Sequence, residues 1–261
     1  MKRSILVAGV AAALLATGAV TLTTVANATT KSGIRKLRVT VLEERPHNPG
    51  SFTQGFEIAD GVLYESTGLE DKSAIQATDP KTGAIRKSSP MPKPEIFAEG
   101  LTIVGDKIWQ LTWLHQTALL WDRATLTKVG HARYTGEGWG LCFDGRRLVK
   151  SNGTDQLTFH DPKTFAQTGQ VRVKAEGVPV TNLNELECTS EGVFANIWKT
   201  DRIVRIDPSN GRVTAVVDAS GLHQPTGPDD VLNGIAAIPG TNQFLITGKQ
   251  WPTTYRVTFG W

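Results

Sequence analysis

Five stretches of the chain repeat one pattern of apolar and polar positions. Each stretch consists of two apolar runs of strand length, joined by a turn that contains Gly or Asp. The stretches are FTQGFEIADGVLYEST from Phe52, FAEGLTIVGDKIWQLT from Phe97, GEGWGLCFDGRRLVKS from Gly136, LNELECTSEGVFANIW from Leu183 and LNGIAAIPGTNQFLIT from Leu232. Because Gly and Asp tolerate the positive φ that tight hairpins require, each stretch is predicted to be a β-hairpin.

Further apolar runs follow each hairpin. A third run follows every hairpin, and a fourth follows in every copy except the last. The polar residues that open the copies are separated by 45, 38, 48 and 48 positions, and they are Gln54, Glu99, Glu137, Glu185 and Asn233. This is the spacing of four-stranded propeller blades, so the pattern predicts an all-β fold, a five-bladed β-propeller.

The strand missing from the last copy is predicted to come from the beginning of the repeat region. Residues 37–44, LRVTVLEE, alternate as a strand and precede the first copy. Pairing this segment with the last strand would close the ring and remove an exposed edge. No sustained helical period occurs after the N-terminal segment, which argues against α/β folds.

The N-terminal segment has the pattern of a secretory signal. Lys2 and Arg3 precede an apolar stretch, and Ala26-Asn27-Ala28 matches a cleavage site. We therefore expect a signal peptide over 1–28, a single domain over 29–261 and secretion to an extracellular or periplasmic location. A membrane anchor is the alternative, but threonines interrupt the stretch before it reaches the length of a span.

Composition narrows the choice of partners and cofactors. The net charge of +3 comes with interspersed signs and no basic block, so neither nucleic acid nor a membrane is expected as a partner. Two cysteines and five scattered histidines lack the spacing of metal ligands, so no metal or other cofactor is expected. Cys142 and Cys188 are compatible with one disulfide, but the sequence leaves their pairing open. A closed ring has no free edge, so we expect a monomer.

Candidate chemistry lies where the first strands of the copies converge on the channel. The opening residues Gln54, Glu99, Glu137, Glu185 and Asn233 are predicted to form a ring of carboxylates and amides at one mouth. Such groups either hydrogen-bond neighbouring blades or bind a water or cation, or one glutamate is shielded from water for proton transfer. The sequence leaves both interpretations open.

A second set of residues is predicted at the far ends of the second strands. The set is Thr67, Trp113, Asn152, Trp198 and Lys249 with Trp251. Together with Trp139 these side chains would form an aromatic wall around a lysine, which is the usual make-up of a small-ligand pocket. The alternative is that each tryptophan only fills space between blades.

Seven ordered motifs resemble one known family. FTQG, YESTG, EGLT, EGWGL, LNELE, AN-W, and NGIA followed by TGK-W resemble the plant and bacterial glutaminyl-peptide cyclotransferases (glutaminyl cyclases) from about Pro46 to Phe259. The resemblance implies a metal-independent, five-bladed enzyme that converts an N-terminal glutamine of a peptide or protein to pyroglutamate and releases ammonia. It implies Glu99 as the proton-transfer residue, although Ala98 stands where the family motif has Gly. The other residues it implies are Lys249 in catalysis and Phe52, Gln54, Trp113, Trp139, Asn184 and Trp198 around the substrate.

Two other functions are consistent with the pattern. In a calcium-dependent, lactonase-like propeller hydrolase the axial ring would hold Ca²⁺, although Lys249 near the ring would repel a cation. In a non-enzymatic propeller the aromatic mouth would hold a peptide end without releasing ammonia.

Overall fold

The computed structural model of the protein describes residues 33–260, and this part of the chain contains strands but no helix. The all-β prediction is therefore confirmed. Strand β1 spans Arg35–Pro46 and precedes the repeats. The signal peptide predicted over 1–28 lies outside the described residues. No segment of residues 33–260 forms a helix able to cross a membrane.

Three separate sheets each contain four antiparallel strands in chain order. The first sheet consists of β2 (Thr53–Ala59), β3 (Val62–Thr67), β4 (Ala74–Thr78) and β5 (Ile85–Pro90). The second consists of β6 (Ala98–Val104), β7 (Lys107–Thr112), β8 (Thr117–Asp122) and β9 (Lys128–Arg133). The third consists of β10 (Leu141–Phe143), β11 (Leu148–Lys150), β12 (Gln156–His160) and β13 (Gln167–Arg172).

The remaining strands form one ten-stranded sheet that includes β1. Its other strands are β14 (Lys174–Ala175), β15 (Val178–Pro179), β16 (Leu183–Thr189), β17 (Gly192–Ile197), β18 (Arg202–Asp207), β19 (Arg212–Asp218), β20 (Leu232–Ala237), β21 (Gln243–Gly248) and β22 (Thr253–Gly260). The main order is β16-β17-β18-β19-β1-β22-β21-β20; off this path, β14 pairs with β19, and β15 pairs with β14. Each half of this order repeats the meander of the separate sheets.

Strand β1 joins the two halves of the large sheet. It pairs antiparallel with β22 from Arg38 to Pro46 and parallel with β19 from Arg35 to Arg38. The prediction that 37–44 completes the last copy is confirmed. The first and last strands of the described residues are thereby held in one sheet, and β22 has no free edge.

The first strands of the repeats pack against one another in a closed circle. Contacts link β2 to β6, β6 to β10, β10 to β16, β16 to β20 and β20 back to β2. Glycines permit this close approach: a Cβ on Gly100 would lie 2.6 Å from the backbone nitrogen of Leu141. Because β6 is buried along nearly its whole length while β5 is mostly exposed, burial falls from the circle outward.

Apolar clusters fill the spaces between neighbouring sheets. One cluster joins Tyr64 and Ile75 of the first sheet to Leu101, Ile108 and Trp121 of the second. Each strand alternates its side chains between two faces, so it packs against the sheets on both sides.

One disulfide links two of these sheets. Cys142 in β10 is bonded to Cys188 in β16, with a Cα–Cα distance of 5.4 Å. The pairing that the sequence left open is thus present in the structure. A bond that closes a loop over a sequence separation of 46 residues stabilises a fold by about 4 kcal/mol in the chain-entropy account.

Candidate active site

Strand register identifies the equivalent residues in the first strands. In β6 the register of pairing with the second strand shifts between Ala98 and Leu101. The same three-residue step occurs in β16, from Leu183 to Leu186, and in β20, from Leu232 to Ile235. The residue after the start of each step lies at the beginning of its first strand, and we call this end of the circle its mouth. Extended to β2 and to the stretch before β10, this register gives one mouth ring, consisting of Gln54, Glu99, Trp139, Asn184 and Asn233.

The predicted ring was therefore wrong at two positions. Glu137 lies two residues before the ring position that Trp139 occupies, and Glu185 lies one residue beyond Asn184. Glu185 is only 1% exposed and accepts the backbone N–H groups of Phe56 (3.3 Å) and Ile235 (2.9 Å). It follows that Glu185 supports the backbone inside the channel and is absent from the mouth.

The second set of equivalent residues follows the second strands. In four copies, the residue after the second strand donates its backbone N–H to a carbonyl group near the start of the first strand. These four residues are Gly68, Trp113, Trp198 and Lys249. The predicted set was wrong at Thr67, which pairs with Thr53 inside the first sheet. Asn152 accepts hydrogen bonds from Thr154 in its own turn, and Gly153 packs beside Trp139.

Glu99 is held by a line of buried amides. The side-chain amide of Gln54 donates to Oε1 of Glu99 at 3.2 Å. Asn233 in turn donates to Oε1 of Gln54 at 3.1 Å and to the carbonyl of Thr53 at 2.9 Å. Glu99 is 5% exposed, so its carboxyl group has a defined position with little contact with water.

Burial raises the pKa of Glu99 well above the ordinary value of a carboxyl group. The Lys249 ammonium opposes the rise and the Glu137 carboxylate adds to it. Burial also lowers the pKa of Lys249, against the opposing effect of the Glu99 and Asp229 charges. The two groups therefore differ less in proton affinity than an exposed Glu and Lys do, which suits a site that exchanges protons with a ligand.

An aromatic group lies on one side of this acid–lysine pair. The Nζ atom of Lys249 is 4.6 Å from the centroid of the Phe52 ring. Phe52 contacts Phe97 edge-to-face at 6.0 Å, and Phe97 contacts Trp113 at 5.7 Å. Because Trp113 is 38% exposed, this group reaches from the buried lysine to the solvent.

A second aromatic group comes from the third and fourth copies of the repeat. The rings of Trp139 and Trp198 meet edge-to-face at 5.4 Å. Oε2 of Glu137 accepts the indole N–H groups of Trp113 (2.7 Å) and Trp139 (2.8 Å). This carboxylate therefore connects the two aromatic groups.

Two ring amides carry unused acceptors. Asn184 and Asn233 are 2% and 0% exposed, and the Oδ1 atom of each has no hydrogen-bond partner among residues 33–260. A buried acceptor without a partner costs free energy unless a ligand or water satisfies it. Both oxygens are therefore available to a bound N–H donor.

All eight predicted site residues lie at this mouth. Glu99, Gln54, Asn184 and Trp139 belong to the ring, Phe52 immediately precedes β2, and Trp113, Trp198 and Lys249 follow the second strands. Sequence reasoning did not assign Phe97 to the site, and it placed Glu137 in the ring itself and not against the two indoles. Phe97 was detectable, because FAEG repeats the Phe of FTQG, whereas nothing in the pattern indicated the two indole bonds of Glu137.

The described part of the chain offers no ready metal centre. Within residues 33–260, no group of three or more His, Cys, Asp or Glu side chains is arranged to hold a metal ion. The polar groups that converge at the mouth are a carboxyl, amides, a lysine and indoles, which are donors and acceptors for an organic ligand.

The fold and the site define an all-β protein with one buried acid and one buried lysine in an aromatic mouth. The chain matches the family model described as glutamine cyclotransferase over residues 12–259. It is 37% identical over 226 residues to the glutaminyl-peptide cyclotransferase of Arabidopsis thaliana, covering 84% of this chain and 70% of that protein. It also resembles the crystal structure of Myxococcus xanthus glutaminyl cyclase, with a TM-score of 0.82, 37% identity and coverage of 87% and 98% of the two chains. The chain belongs to the glutamine cyclotransferase family.

Proposed function

We propose that this protein is an exported glutaminyl-peptide cyclotransferase that converts N-terminal glutamine of peptides or proteins to pyroglutamate. One observation carries the proposal: a buried glutamate, Glu99, is hydrogen-bonded by Gln54 and lies beside a buried lysine at an aromatic mouth. In this proposal the enzyme uses no metal or other cofactor and acts as a monomer. Its partners include neither nucleic acid nor membrane, and residues 1–28 direct export.

The proposed architecture is a single domain over 29–261, a five-bladed propeller. The closed circle of first strands and the repeated meander support it. In this architecture each blade contributes one ring residue, and the ten-stranded sheet contains two blades joined by β1. The channel mouth then brings side chains from all blades to one substrate.

The proposed reaction is an intramolecular acyl transfer. The α-amine nitrogen of the substrate forms a bond to the side-chain carboxamide carbon, and the bond from that carbon to the amide nitrogen breaks. The amide nitrogen leaves as ammonia with a proton that came from the amine. Because both reacting groups belong to one residue, holding them in a ring-like conformation removes most of the entropic barrier.

Glu99 is assigned the proton transfer. A carboxylate between the amine and the amide nitrogen accepts the first proton and delivers it to the second nitrogen. The raised pKa of Glu99 makes its carboxylate a stronger base than an exposed glutamate. The hydrogen bond from Gln54 holds the side chain in position through both steps.

Lys249 and the ring amides are proposed to bind the polar atoms of the substrate. A lysine ammonium stabilises the oxyanion that forms when the amine attacks, and such a donor is typically worth about 3 kcal/mol. The free Oδ1 acceptors of Asn184 and Asn233 suit the N–H groups of the glutamine amide and the α-amine. The positive charge of Lys249 also argues against the calcium-dependent alternative.

The aromatic residues are proposed to pack against the methylene groups of the substrate glutamine. Phe52, Trp113, Trp139 and Trp198 enclose the mouth with apolar surface that would cover the two methylene groups of the substrate. Excluding water favours attack by the amine over hydrolysis of the amide. Catalysis thus depends on a closed, dry pocket as well as on one acid–base group.

The proposal is tested by measuring ammonia release from a Gln-initiated dipeptide, with and without chelator. We expect release by the wild-type protein in both conditions. Glu99→Gln is expected to lower the rate by about 100-fold or more, since general acid–base catalysis contributes that much. Glu176→Gln is the matched control, because Glu176 is exposed in the turn between β14 and β15 and is not a residue of the site.

Three results would contradict parts of this proposal. Full activity in Glu99→Gln would remove Glu99 as the base. Activity lost with chelator and restored by calcium would favour the hydrolase alternative. Peptide binding without ammonia release would favour a binding propeller.

A further inference from the structure

Glu137 lies outside the mouth ring but touches the site from two directions. Its Oε2 atom accepts indole N–H groups from Trp113 and Trp139, at 2.7 and 2.8 Å. Trp113 follows β7 in the second sheet, whereas Trp139 precedes β10 in the third. One carboxylate oxygen therefore joins aromatic side chains of two neighbouring sheets.

The two indoles are also tied to the segment that carries Glu99. The backbone carbonyl of Trp139 accepts the N–H of Gly100, the residue after Glu99, at 2.7 Å. The backbone N–H of Trp113 donates to the carbonyl of Phe97, two residues before Glu99, at 2.9 Å. The backbones of Trp113 and Trp139 are therefore bonded to the chain on the two sides of Glu99, and Glu137 accepts the N–H groups of both indoles.

The backbone of Glu137 is hydrogen-bonded by a buried lysine, Lys150. Nζ of Lys150 donates to the backbone carbonyl of Glu137 at 2.8 Å, and Lys150 is 2% exposed. Burial lowers the pKa of Lys150 to about 8, against the effect of the Glu137 charge. The Lys150 ammonium also lies 4.9 Å from the centroid of the Tyr134 ring. The position of Glu137 is thus fixed by its backbone, which leaves its carboxylate directed at the indoles.

We infer that Glu137 is a positioning residue of the cyclisation site: its carboxylate holds the indoles of Trp113 and Trp139 around the glutamine side chain. The inference rests on the proposed function. Two donors share one oxygen, and a charged acceptor forms stronger hydrogen bonds than a neutral one, so a carboxylate suits this place better than an amide.

The charge of Glu137 has a second effect on Glu99. The charged groups that act on Glu99 are Lys249 and Glu137. The titratable groups beside Glu137 are Lys150 and Tyr134. The Glu137 carboxylate adds to the rise that burial gives the pKa of Glu99, while Lys249 opposes it. Removing the Glu137 charge should therefore let Glu99 ionise at lower pH.

Two substitutions separate the hydrogen bonds from the charge. Glu137→Leu removes both, whereas Glu137→Gln keeps an acceptor oxygen for the indoles and removes only the charge. Three readouts are compared. The first is near-UV circular dichroism, which reports indole packing. The second is kcat and KM for a Gln-initiated dipeptide, and the third is the pH profile of kcat/KM. Glu176→Gln is the control for a carboxylate lost from the surface.

We expect Glu137→Leu to change the near-UV spectrum and to lower kcat/KM by roughly 10- to 100-fold, because two indole donors lose their charged partner. Glu137→Gln should keep the near-UV spectrum, recover most of that loss and shift the acid limb of the profile to lower pH. The control should match the wild type in all three readouts.

Two results would overturn the inference. A Leu variant with wild-type spectrum and kinetics would show that Glu137 holds nothing, and a Gln variant with an unshifted acid limb would remove its charge from the site. If Glu137→Leu fails to fold, Glu137→Gln alone decides through its pH profile and spectrum. A wild-type protein that released no ammonia would contradict the proposed function, while the near-UV spectra would still test the indole contact.

Discussion

At the residue scale, burial changes the pKa values of Glu99 and Lys249. Each is 5% exposed, and burial favours the neutral form of both. Their mutual attraction opposes this, since the ammonium favours the carboxylate and the carboxylate favours the ammonium. The sequence indicated both residues through the repeat and the family resemblance. It could not indicate the directions of their pKa shifts, which depend on surroundings supplied by other strands.

A lysine substitution tests this balance. In Lys249→Met the ammonium that lowers the pKa of Glu99 is absent, so Glu99 should ionise at higher pH. The acid limb of the kcat/KM profile is expected to move to higher pH. The maximal rate should fall by about 100-fold, as when an oxyanion donor is removed.

The matched control is Lys163→Met, since Lys163 is an exposed turn residue in the third sheet. It should keep the wild-type profile. An acid limb that stays in place in Lys249→Met, or that moves to lower pH, would show that Lys249 does not act on Glu99.

At the scale of the strand, the repeat predicted the hairpins well but placed two ring residues wrongly. The alignment relied on the first polar residue of each copy, and polar side chains do not by themselves define register. In the third copy the pairing begins only at Leu141, so Glu137 lies before the ring. In the fourth copy Glu185 occupies the place of Gly100 and Gly234. A carboxylate fits there because two backbone N–H groups satisfy it, a contact between distant strands that the sequence pattern cannot reveal.

A glycine in the third sheet tests the placement of Trp139. Gly153 has φ +78°, and a Cβ there would lie 2.6 Å from the Trp139 ring. Gly153→Ala should therefore displace the indole, raise KM for a Gln-initiated dipeptide and lower kcat/KM by roughly tenfold, the effect of about 1.4 kcal/mol.

Gly145→Ala separates ring displacement from backbone strain. Gly145 also has a positive φ, +86°, but a Cβ there meets nothing within 4 Å. Both variants should lose about 1 to 2 kcal/mol of stability, because alanine is disfavoured at positive φ. Only Gly153→Ala should alter KM. Equal kinetics in the two variants would show that the position of Trp139 does not affect binding.

At the scale of the whole molecule, the closure by β1 followed from the sequence, but the interior of the channel did not. Three glutamates there, Glu57, Glu185 and Glu187, accept backbone N–H groups of Ile103, Phe56, Ile235 and Ala237. They come from two distant strands, β2 and β16. Their proximity is a property of the closed circle and has no signal in either strand alone.

These carboxyl groups predict a pH-dependent stability. Burial raises the pKa of Glu185 and of Glu187 well above the ordinary range and that of Glu57 to about 7, and repulsion from Glu57 adds to the shifts of the other two. A carboxyl group whose pKa is higher in the folded state binds its proton more tightly there. Its contribution is therefore fully present below its ordinary pKa of about 4.3 and is lost as the pH rises through the folded value.

Glu185→Gln tests this contribution, because an amide cannot ionise. Denaturant unfolding at pH values from about 4.5 to about 8 gives the free energy of unfolding across the window. At the lowest pH the variant should be less stable by about 1 kcal/mol, because one oxygen no longer accepts a backbone N–H. Its stability should fall less steeply with pH than that of the wild type, while Glu176→Gln keeps the wild-type slope. Parallel slopes for the wild type and Glu185→Gln would show that Glu185 ionises as readily in the folded channel as in the unfolded chain.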